Sequence, residues 1–413
     1  MSEVLFVVNA GSSSIKFKLY RVVGEDIALV FGGAVDGIGT RPRLKAKDHA
    51  GETLIERSFS AEEVANSSQA QRIIADWVGG QMKDAQLIGI GHRVVHGGPV
   101  YSAPVLVDDA VMRTLETFIP LAPLHQLSNL DPIRVLRERR PDLPQVACFD
   151  TAFHRGHPEL SDRFALPREL YDEGVRRYGF HGLSYEYVSQ ALRGIAPEIA
   201  EKRVIIAHLG SGASVCALEG GRSIETTMGF TALDGLPMGT RSGSLDPGVV
   251  LHLIEQKGMS PAEVGHMLYH ESGLRGLSGI SNDVRALLES DRPEAAMAID
   301  FFSLRVAQAF ASLSVSLGGL DALVFTAGVG ENAHQVRRNV VERLRWAGFA
   351  LDEEANSRND RRIEAPGSRV PILVVPTDEE RMIGQHTLRL LRRPQDCIAK
   401  QAGAPHRPEL GER

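Results

Sequence analysis

Two arginines lie in short glycine-rich segments, Arg93 in HRVVHGG and Arg241 in MGTRSGS. Neither has a carboxylate four residues away to pair with along a helix. A guanidinium presents a planar fork of N–H donors that matches the oxygens of carboxylates and phosphates. Each arginine could therefore bind an anion, or it could be a solvated loop residue. The local sequence leaves both interpretations open.

Carboxylates stand at two places where they need a partner. Asp150 follows the apolar strand QVACF, and a buried carboxylate requires a cation, a metal ion or a hydrogen-bond donor. Thr377 and Glu380 have the T-x-x-E spacing of a capping box at the start of the last helix. That structural role would leave Glu379 free to face a cation.

Individual histidines carry less information. His181 in YGFHGLS and His125 in PLHQLSN are each expected, taken alone, to be hydrogen-bonded structural residues. His92 and His96 have the spacing of a metal-binding pair on a helix. However, their segment has the pattern of a strand and offers no third ligand, so we do not expect a metal there.

Two segments share one strand-turn-strand design. Residues 4–20 read VLFVVNAGSSSIKFKLY, and residues 203–218 read RVIIAHLGSGASVCAL. A short Gly/Ser turn presents backbone N–H groups and hydroxyls that suit phosphate oxygens. Lys16 follows the first turn, on the strand face opposite Ile15 and Phe17. The repetition predicts a phosphotransferase that holds the phosphates of a nucleotide from two sides.

Two further segments have both a structural and a ligand-binding interpretation. The GVGEN segment at residues 328–332 follows a strand and opens a helix, so it is either a tight turn or a site for phosphate or sugar oxygens. Asn282 and Asp283 precede the helix VRALL, where they either cap it or also contact a ribose.

Length and composition exclude several classes of protein. At 413 residues two domains are expected, and a hydrophobic fraction of 43% is that of a soluble globular protein. The net charge of -6 argues against a nucleic-acid partner, and no apolar run reaches the length expected of a membrane span. The odd number of cysteines, three, and the lack of a signal peptide favour the cytoplasm.

Periodicity gives a coarse map of the chain. It predicts helices near residues 66–78 and 294–317, a loop over residues 36–60, and a closing helix after TDEE. Residues 396–413 have no apolar period and are expected to be a disordered tail. No G-x-S-x-G, H-E-x-x-H, C-x-x-C or Walker A motif supports a rival chemistry.

Nine strings together identify a family resemblance. VNAGSSSIKF, HRVVHGG, FDTAFH, YGFHGLSY, HLGSGAS, MGFTALDGLPMGTRSGSLDPG, GISNDVR, FTAGVGEN and PTDEERMI resemble the acetate kinases in their order along the chain. The resemblance implies an α/β fold of the actin, Hsp70 and sugar-kinase type, with two ribonuclease-H-like domains around a central cleft. It also implies Mg²⁺ (or Mn²⁺), ATP and ADP, acetate and acetyl phosphate, and a homodimer.

The implied domains are residues 1–150, joined by the closing helix at about 385–395, and residues 151–384. Catalytic positions of the family match Asp150, His181, Arg93 and Arg241, and magnesium positions match Asn9 and Glu379. Acetate-site positions match Arg93, Val95, Leu124, His125, Phe180 and Ala232. Nucleotide positions match Ser12, Ser14, Lys16, His208, Leu209, Gly210, Ser211, Gly212, Asp283, Val284, Arg285, Gly328, Val329, Gly330, Glu331 and Asn332.

This chemistry suits the residue types. Acetate is already anionic at neutral pH, so it needs no general base, but two anions must approach each other. Arginines, a histidine and Mg²⁺ would offset that repulsion during direct transfer, with Asp150 positioning magnesium or Arg241.

Three residues depart from the family pattern: Ser211 replaces an asparagine, Ala232 a proline of the methyl pocket, and Asp378 an asparagine. A propionate kinase, or more remotely a butyrate kinase, is therefore the nearest alternative. A non-catalytic nucleotide-binding protein on the same fold is a more distant one. A sugar kinase is disfavoured, because a hydroxyl acceptor would need a base.

Overall fold

Two β-sheets with the same central strand order organise this computed structural model, which describes residues 1–11, 14–82, 85–123 and 125–392. Within those ranges the first sheet has the order β5-β4-β3-β2-β1-β6-β8-β7. Its strands are β1 (Ser2–Ala10), β2 (Ser14–Val23), β3 (Asp26–Asp36), β4 (Arg43–Asp48), β5 (Thr53–Ser58), β6 (Ala85–Val94), β7 (Val105–Leu106) and β8 (Gln145–Phe149).

The second sheet has the order β11-β10-β9-β12-β13. Its strands are β9 (Val204–Leu209), β10 (Ala213–Glu219), β11 (Arg222–Thr226), β12 (Ala322–Thr326) and β13 (Ile372–Val374). In both sheets the first strand pairs antiparallel with its hairpin partner and parallel with the strand on its other side. The order β3-β2-β1-β6-β8 therefore corresponds to β11-β10-β9-β12-β13, and the predicted α/β fold with two ribonuclease-H-like sheets is confirmed.

Helices cover both sheets. They are α1 (Ser67–Gln81), α2 (Asp109–Thr117), α3 (Gln126–Arg139), α4 (Glu159–Asp162), α5 (Arg168–Asp172), α6 (Gly182–Ile195), α7 (Pro197–Ala200), α8 (Pro247–Glu255), α9 (Pro261–His266), α10 (Gly273–Ser278), α11 (Val284–Leu288), α12 (Pro293–Ser316), α13 (Ala327–Asn332), α14 (His334–Glu342), α15 (Glu353–Ser357) and α16 (Glu379–Arg392). The predicted helices near residues 66–78 and 294–317 are α1 and α12. The Asn66 side chain caps α1 by accepting a hydrogen bond from the amide of Gln69.

The last helix packs on the first sheet, far from it in sequence. Met382, Ile383 and Leu388 of α16 share an apolar cluster with Leu5 and Val7 of β1. The approach is close because β6 carries glycine there: a Cβ on Gly91 would lie 2.6 Å from a methyl group of Ile383. The predicted closing helix begins at Glu379, the residue expected at its start. The domain boundary at residue 150 stays a prediction.

Two local expectations were wrong. The segment 36–60 was expected to be a loop but contains β4 and the edge strand β5, whose polar residues hide the alternation of a half-buried strand. The GVGEN segment is not a turn before a helix but lies within α13, which follows β12 directly through Ala327 at φ 64°. Ser12, Leu124 and the predicted tail 396–413 lie outside the described residues.

The long helix α12 is a core element. By length and composition alone it could cross a membrane, contrary to our expectation that no apolar run reaches that length. Its residues Phe302, Val306 and Phe310 are buried and share one cluster with residues of β9 and β10. The apolar face of α12 therefore covers the second sheet.

Candidate active site

Three polar residues of the first sheet meet at one edge. The parallel strands β1, β6 and β8 carry Asn9, Arg93 and Asp150 at or just after their carboxyl ends, and such ends lie together in parallel sheets. Arg93 Nε lies 2.9 and 3.1 Å from the two oxygens of Asp150, and Nη2 lies 2.5 Å from Oδ2. Arg93 Nη1 also donates to Asn9 Oδ1 at 3.3 Å.

The pairing partner of Asp150 differs from our expectation. We expected Asp150 to position magnesium or Arg241, but its carboxylate receives its side-chain hydrogen bonds from Arg93. Burial raises the pKa of Asp150, while the charge and N–H groups of Arg93 act in the opposite direction. Because a guanidinium only donates, the observed contacts require Asp150 to accept with both oxygens. The pair therefore holds Arg93 in one orientation.

The start of α16 supplies the carboxylates of the site. Asn9 Nδ2 donates to Glu379 Oε2 at 3.2 Å and to Glu380 Oε1 at 2.8 Å. Lys18 Nζ lies 2.7 Å from Asp378 Oδ1 and 3.5 Å from Glu380 Oε2.

The predicted capping box is wrong. The amide of Arg381 donates to Asp378 Oδ1 at 2.9 Å, so Asp378 rather than Thr377 caps α16. The Glu380 carboxylate is left for Asn9 and Lys18. Thr377 instead contacts α6 and α13, because its hydroxyl accepts a hydrogen bond from Ser184 and its amide donates one to Glu331.

The Asn9 and Glu379 side chains have the chemistry that Mg²⁺ requires. Burial alone would raise the pKa of Glu379, but the charges of Arg93 and Lys16 act in the opposite direction and the pKa is lowered. The Glu379 carboxylate is a hard oxygen ligand of the kind that Mg²⁺ prefers. Asn9 carries a second such oxygen, Oδ1, which faces Arg93 here and would face Glu379 after rotation of the amide group. The residues present therefore fit the ion that the family resemblance implies.

His181 is held in a backbone conformation that few side chains adopt. It precedes α6 at φ 59° and ψ 23°, in the left-handed region. Its Nδ1 lies 2.9 Å from Ser214 Oγ, which in turn lies 2.6 Å from the hydroxyl of Tyr185. Its ring stacks on that of His208, with centroids 4.1 Å apart and planes 15° from parallel. Burial lowers the pKa of His181 well below its usual value, which favours the neutral ring.

Arg241, in the second half of the chain, lies close to His181. Its Nη1 donates to the carbonyl of Ala232 at 2.8 Å. A Cβ built on Gly212 would lie 3.1 Å from His181 Nε2 and 3.7 Å from Arg241 Nη2, so both side chains pass over that glycine. Burial lowers the pKa of Arg241.

The charges of Arg93 and Arg241 lower the pKa of the same two histidines. Burial lowers the pKa of His125 to about 3, and the charges of Arg241 and Arg93 both add to that shift. The two charges also lower the pKa of His181. Arg93 from β6 and Arg241 from the loop between β11 and α8 are therefore both near enough to influence these two histidines.

The predicted acyl pocket residues share an apolar cluster. Val95 and Phe180 are buried in it, and the partly buried Ala232 packs against it together with Ala122. Asn129 fixes the start of this wall, because its Oδ1 accepts from the amide of Val95 and its Nδ2 donates to the carbonyl of Ala10.

The predicted nucleotide segments differ in what they expose. Ser211 is exposed at the tip of the β9–β10 turn, whereas the side chain of Leu209 is fully buried, so only its backbone could face a ligand. Asp283 caps α11 by accepting from the amide of Arg285 at 2.9 Å. Val284 is likewise buried, in the apolar cluster under the second sheet.

A buried arginine, missed in the sequence, supports α13. Arg337 donates to the carbonyls of Gly330 and Glu331, both at 2.9 Å, and to Asn356 and Asn359. Burial lowers its pKa to about 10. It thus fixes the carbonyls of Gly330 and Glu331, two of the five predicted nucleotide positions Gly328, Val329, Gly330, Glu331 and Asn332.

On the first sheet Ser14 begins β2, and the exposed Lys16 is paired with Asn9 in the register of the β1–β2 hairpin.

Several residues of the site have no clear signal in the sequence. Lys18 lies on the same strand face as Lys16, which was the one available hint. Ser214, Asn129 and Glu380 act through contacts with residues distant in sequence, which no local pattern reveals.

The fold and this arrangement define a phosphotransferase with two ribonuclease-H-like sheets and positive groups from both. The comparison with protein families is specific: the acetokinase family matches residues 4–385. The chain belongs to the acetokinase family.

Individual relatives agree along nearly the full length. An acetate kinase from Nitrobacter hamburgensis is 55% identical over 390 residues, which are 94% of this chain and 96% of that protein. The structure of a propionate kinase from Francisella tularensis is similar with a TM-score of 0.86 at 37% identity, covering 94% of this chain and all of that one. Porphyromonas gingivalis acetate kinase has a TM-score of 0.81 at 34% identity, covering 95% and 100%.

Proposed function

We propose that this protein catalyses the reversible, Mg²⁺-dependent transfer of the γ-phosphoryl group of ATP to acetate. One acetate oxygen forms a bond to the γ-phosphorus while the bond to the β–γ bridging oxygen breaks, giving acetyl phosphate and ADP. The observation that carries the proposal is the position of His181 and Arg241 together over Gly212, with the Arg93–Asp150 pair at the carboxyl ends of the first sheet's parallel strands.

Charge cancellation is the main task of such a site. Acetate is ionised at neutral pH, and a triphosphate repels it. At an effective dielectric constant of about 20, one guanidinium about 4 Å from an anion offsets roughly 4 kcal/mol of that repulsion. Two arginines therefore supply an effect of the size that phosphoryl transfer requires.

Each predicted catalytic residue has a role in this proposal. Arg93 binds the acyl carboxylate and Asp150 fixes its orientation. Arg241 contacts the phosphoryl group in flight. We assign His181 Nδ1, 2.9 Å from Ser214 Oγ, as the acceptor of that contact, so that its Nε2–H is offered to a phosphoryl oxygen.

Asn9 and Glu379 would hold the magnesium ion. When bound, Mg²⁺ supplies positive charge to the phosphate oxygens. Lys16 and the turn from His208 to Gly212 would contact the phosphates, and the segments 283–285 and 328–332 the nucleoside.

A hydroxamate assay of acyl phosphate formation tests the function. We expect ATP-dependent product with acetate, and at least a hundredfold loss of kcat in Arg241→Ala, about the size of removing one transition-state donor. Inversion at a chiral γ-phosphorus would support direct transfer, whereas net retention would exclude it. No acyl phosphate with acetate, propionate or butyrate would overturn the proposal.

Propionate is the second substrate to test. Ala232 replaces the larger proline of the family pattern beside Val95 and Phe180, and one methylene changes binding by only about 1 kcal/mol in such a pocket. The similar structure from Francisella tularensis is that of a propionate kinase. A kcat/KM for propionate more than a thousandfold below that for acetate would reject this secondary activity.

We also propose a cytoplasmic homodimer that associates through α8. None of the nine residues of α8 is buried: Val249 and Leu251 are 40% and 55% exposed, and Leu245, two residues before the helix, is 42% exposed. Light scattering should give twice the monomer mass, and Leu251→Asp should give monomers. Leu160→Asp, at a side chain 91% exposed elsewhere, is the matched control and should stay dimeric.

Two buried free thiols, Cys148 and Cys216, fit a reducing compartment. Fractionation of the native cell with an antibody to the protein tests the location.

A further inference from the structure

A buried cluster of polar residues lies beneath the segment that carries Phe180 and His181. It consists of His154, His157, Cys216 and Ser223, and the first of these ends a short 3-10 helix four residues after Asp150. Ser223 Oγ lies 2.7 Å from His154 Nδ1, 2.6 Å from His157 Nε2 and 3.1 Å from Cys216 Sγ. None of these residues has a part in the function proposed above.

The other ring nitrogen of His154 reaches the active-site segment. His154 Nε2 lies 2.9 Å from the carbonyl oxygen of Phe180. A carbonyl only accepts, so Nε2 carries the proton and Nδ1 is left as an acceptor. Ser223 must then donate its hydroxyl proton to Nδ1, and its oxygen can accept from His157. The contacts thus specify one tautomer of His154.

The backbone above the His154 ring has little freedom. Gly179 has φ 75°, and a Cβ there would lie 2.7 Å from ring atoms of His154. Two residues later, His181 is in the left-handed region, which is unfavourable for a residue with a Cβ. A Cβ on Gly182 would lie 2.2 Å from the carbonyl oxygen of Asp150. The turn from Gly179 to Gly182 is therefore pressed against the segment 150–154.

Two contacts connect His154 to the side chain of His181. One is the Phe180 carbonyl, on the peptide unit directly before His181. The other is Tyr185, whose ring meets His154 edge-on at 5.7 Å and whose hydroxyl reaches Ser214, the partner of His181 Nδ1.

We infer that His154 is a positioning residue that holds the Phe180–His181 turn in its left-handed conformation, and thereby aims His181 at Arg241 and Phe180 at the acyl pocket. This inference rests on the proposed function for its kinetic consequence. His154 itself touches neither substrate nor phosphate in this role.

Two conservative variants separate the two hydrogen bonds of the ring. The amide of His154→Gln can reach the Nε2 position and donate to Phe180, whereas His154→Asn can replace the Nδ1 side and keep the contact with Ser223. We expect kcat within threefold of the unmodified enzyme for His154→Gln, and a loss of at least tenfold for His154→Asn. The KM for ATP should change less than threefold in both.

A double-mutant cycle with His181→Ala distinguishes positioning from general damage, because residues that act through each other are not additive. His154→Asn should cost less than twofold in the His181→Ala background. An equal loss in both backgrounds would overturn the inference, and so would an His154→Asn enzyme within twofold of the unmodified one. If His154→Asn does not fold, His154→Leu, which likewise removes the donor to the Phe180 carbonyl, takes its place, with an expected loss of at least tenfold limited to the background that contains His181.

One measurement is independent of activity. The ¹⁵N NMR spectrum of histidine-labelled protein should show His154 as the neutral Nε2–H tautomer, and the Nδ1–H tautomer would contradict the inference. Absence of acyl phosphate formation by the unmodified protein would overturn the proposed function instead, and would leave this spectrum unaffected.

Discussion

The guanidinium of Arg93 makes three N–H contacts with the carboxylate of Asp150, across 57 residues of sequence. Those contacts use Nε and Nη2. The remaining nitrogen, Nη1, makes one long contact of 3.3 Å with Asn9 Oδ1, a predicted magnesium-site residue. Nη1, the nitrogen that can still donate a hydrogen bond, therefore faces the predicted magnesium-site residues, where an acyl carboxylate and a phosphate would meet.

Breaking the Arg93–Asp150 pair should lower both stability and activity. The Asp150 side chain is 2% exposed and that of Arg93 is 17% exposed, so Asp150→Leu leaves a buried charge unpaired. We expect a loss of about 3–5 kcal/mol in the free energy of unfolding from urea titration. The double variant Arg93→Met/Asp150→Leu should recover most of that free energy yet remain inactive. Recovery of acyl phosphate formation in the double variant would contradict the proposed role of Arg93.

A methyl group on Gly212 should reduce activity without unfolding the protein. Its Cβ would lie 3.1 Å from His181 Nε2, which displaces the imidazole from its place beside Arg241. We expect Gly212→Ala to lower kcat at least tenfold, with a melting temperature within a few degrees. Gly194→Ala in α6, where a Cβ meets nothing within 4 Å, is the control. It should keep full activity and gain about 0.5–1 kcal/mol of stability.

In the unmodified protein, the charge of Lys18 should lower the affinity for divalent ions. Its ammonium pairs with Asp378 and Glu380, both next to Glu379 in sequence, and offsets their charge. Lys18→Met leaves that charge uncompensated, so the affinity for Mn²⁺, measured by electron paramagnetic resonance, should rise by about 0.5–1 kcal/mol, roughly two- to fivefold. Asp378→Asn removes one negative charge and should lower the affinity. Equal affinities in all three proteins would exclude this effect of Lys18.

Acid should destabilise the fold through its buried neutral histidines. Burial lowers the pKa of His92, His154 and His208 to about 4 each, from an ordinary value of 6.5. Between pH 6.5 and 4 the unfolded chain therefore binds protons that the native state does not. The free energy of unfolding should fall with decreasing pH over that range, by up to about 1.4 kcal/mol per pH unit for each histidine.

His92→Met tests this origin of the acid sensitivity. Both ring nitrogens of His92 are buried without a hydrogen-bond partner among the described residues, so the replacement breaks no such bond. The slope of unfolding free energy against pH should decrease by about one proton in the variant. An unchanged slope would show that His92 is already charged in the native state.

Much of this site could be predicted from residue types and turns. The two hairpins were visible because apolar strands flank Gly/Ser turns, and Arg93 and Arg241 because glycine surrounds them. Contacts such as Lys18 with Asp378 could not be predicted, since 360 residues separate the pair. The start of α16 illustrates the limit, because T-x-x-E suggests a cap at Thr377 while long-range contacts give that task to Asp378.

The wrong prediction of a loop where β4 and β5 lie has a different cause. They lie at one end of the first sheet, with β5 at its edge and β4 next to it, and their charged side chains weaken the alternation that marks a half-buried strand. Within α13 the sequence Gly-Val-Gly suggests a turn, yet the neighbouring Arg337 binds its carbonyls and stabilises a helix.

The position of α16 has a consequence for synthesis on the ribosome. The apolar residues Leu5, Val7 and Val146 are covered by a helix that is translated more than two hundred residues after them. Until the end of the chain emerges from the ribosome, these apolar side chains of the nascent first half remain exposed to solvent, where chaperones can bind them. Premature termination before residue 379 should accordingly yield insoluble product rather than a stable fragment.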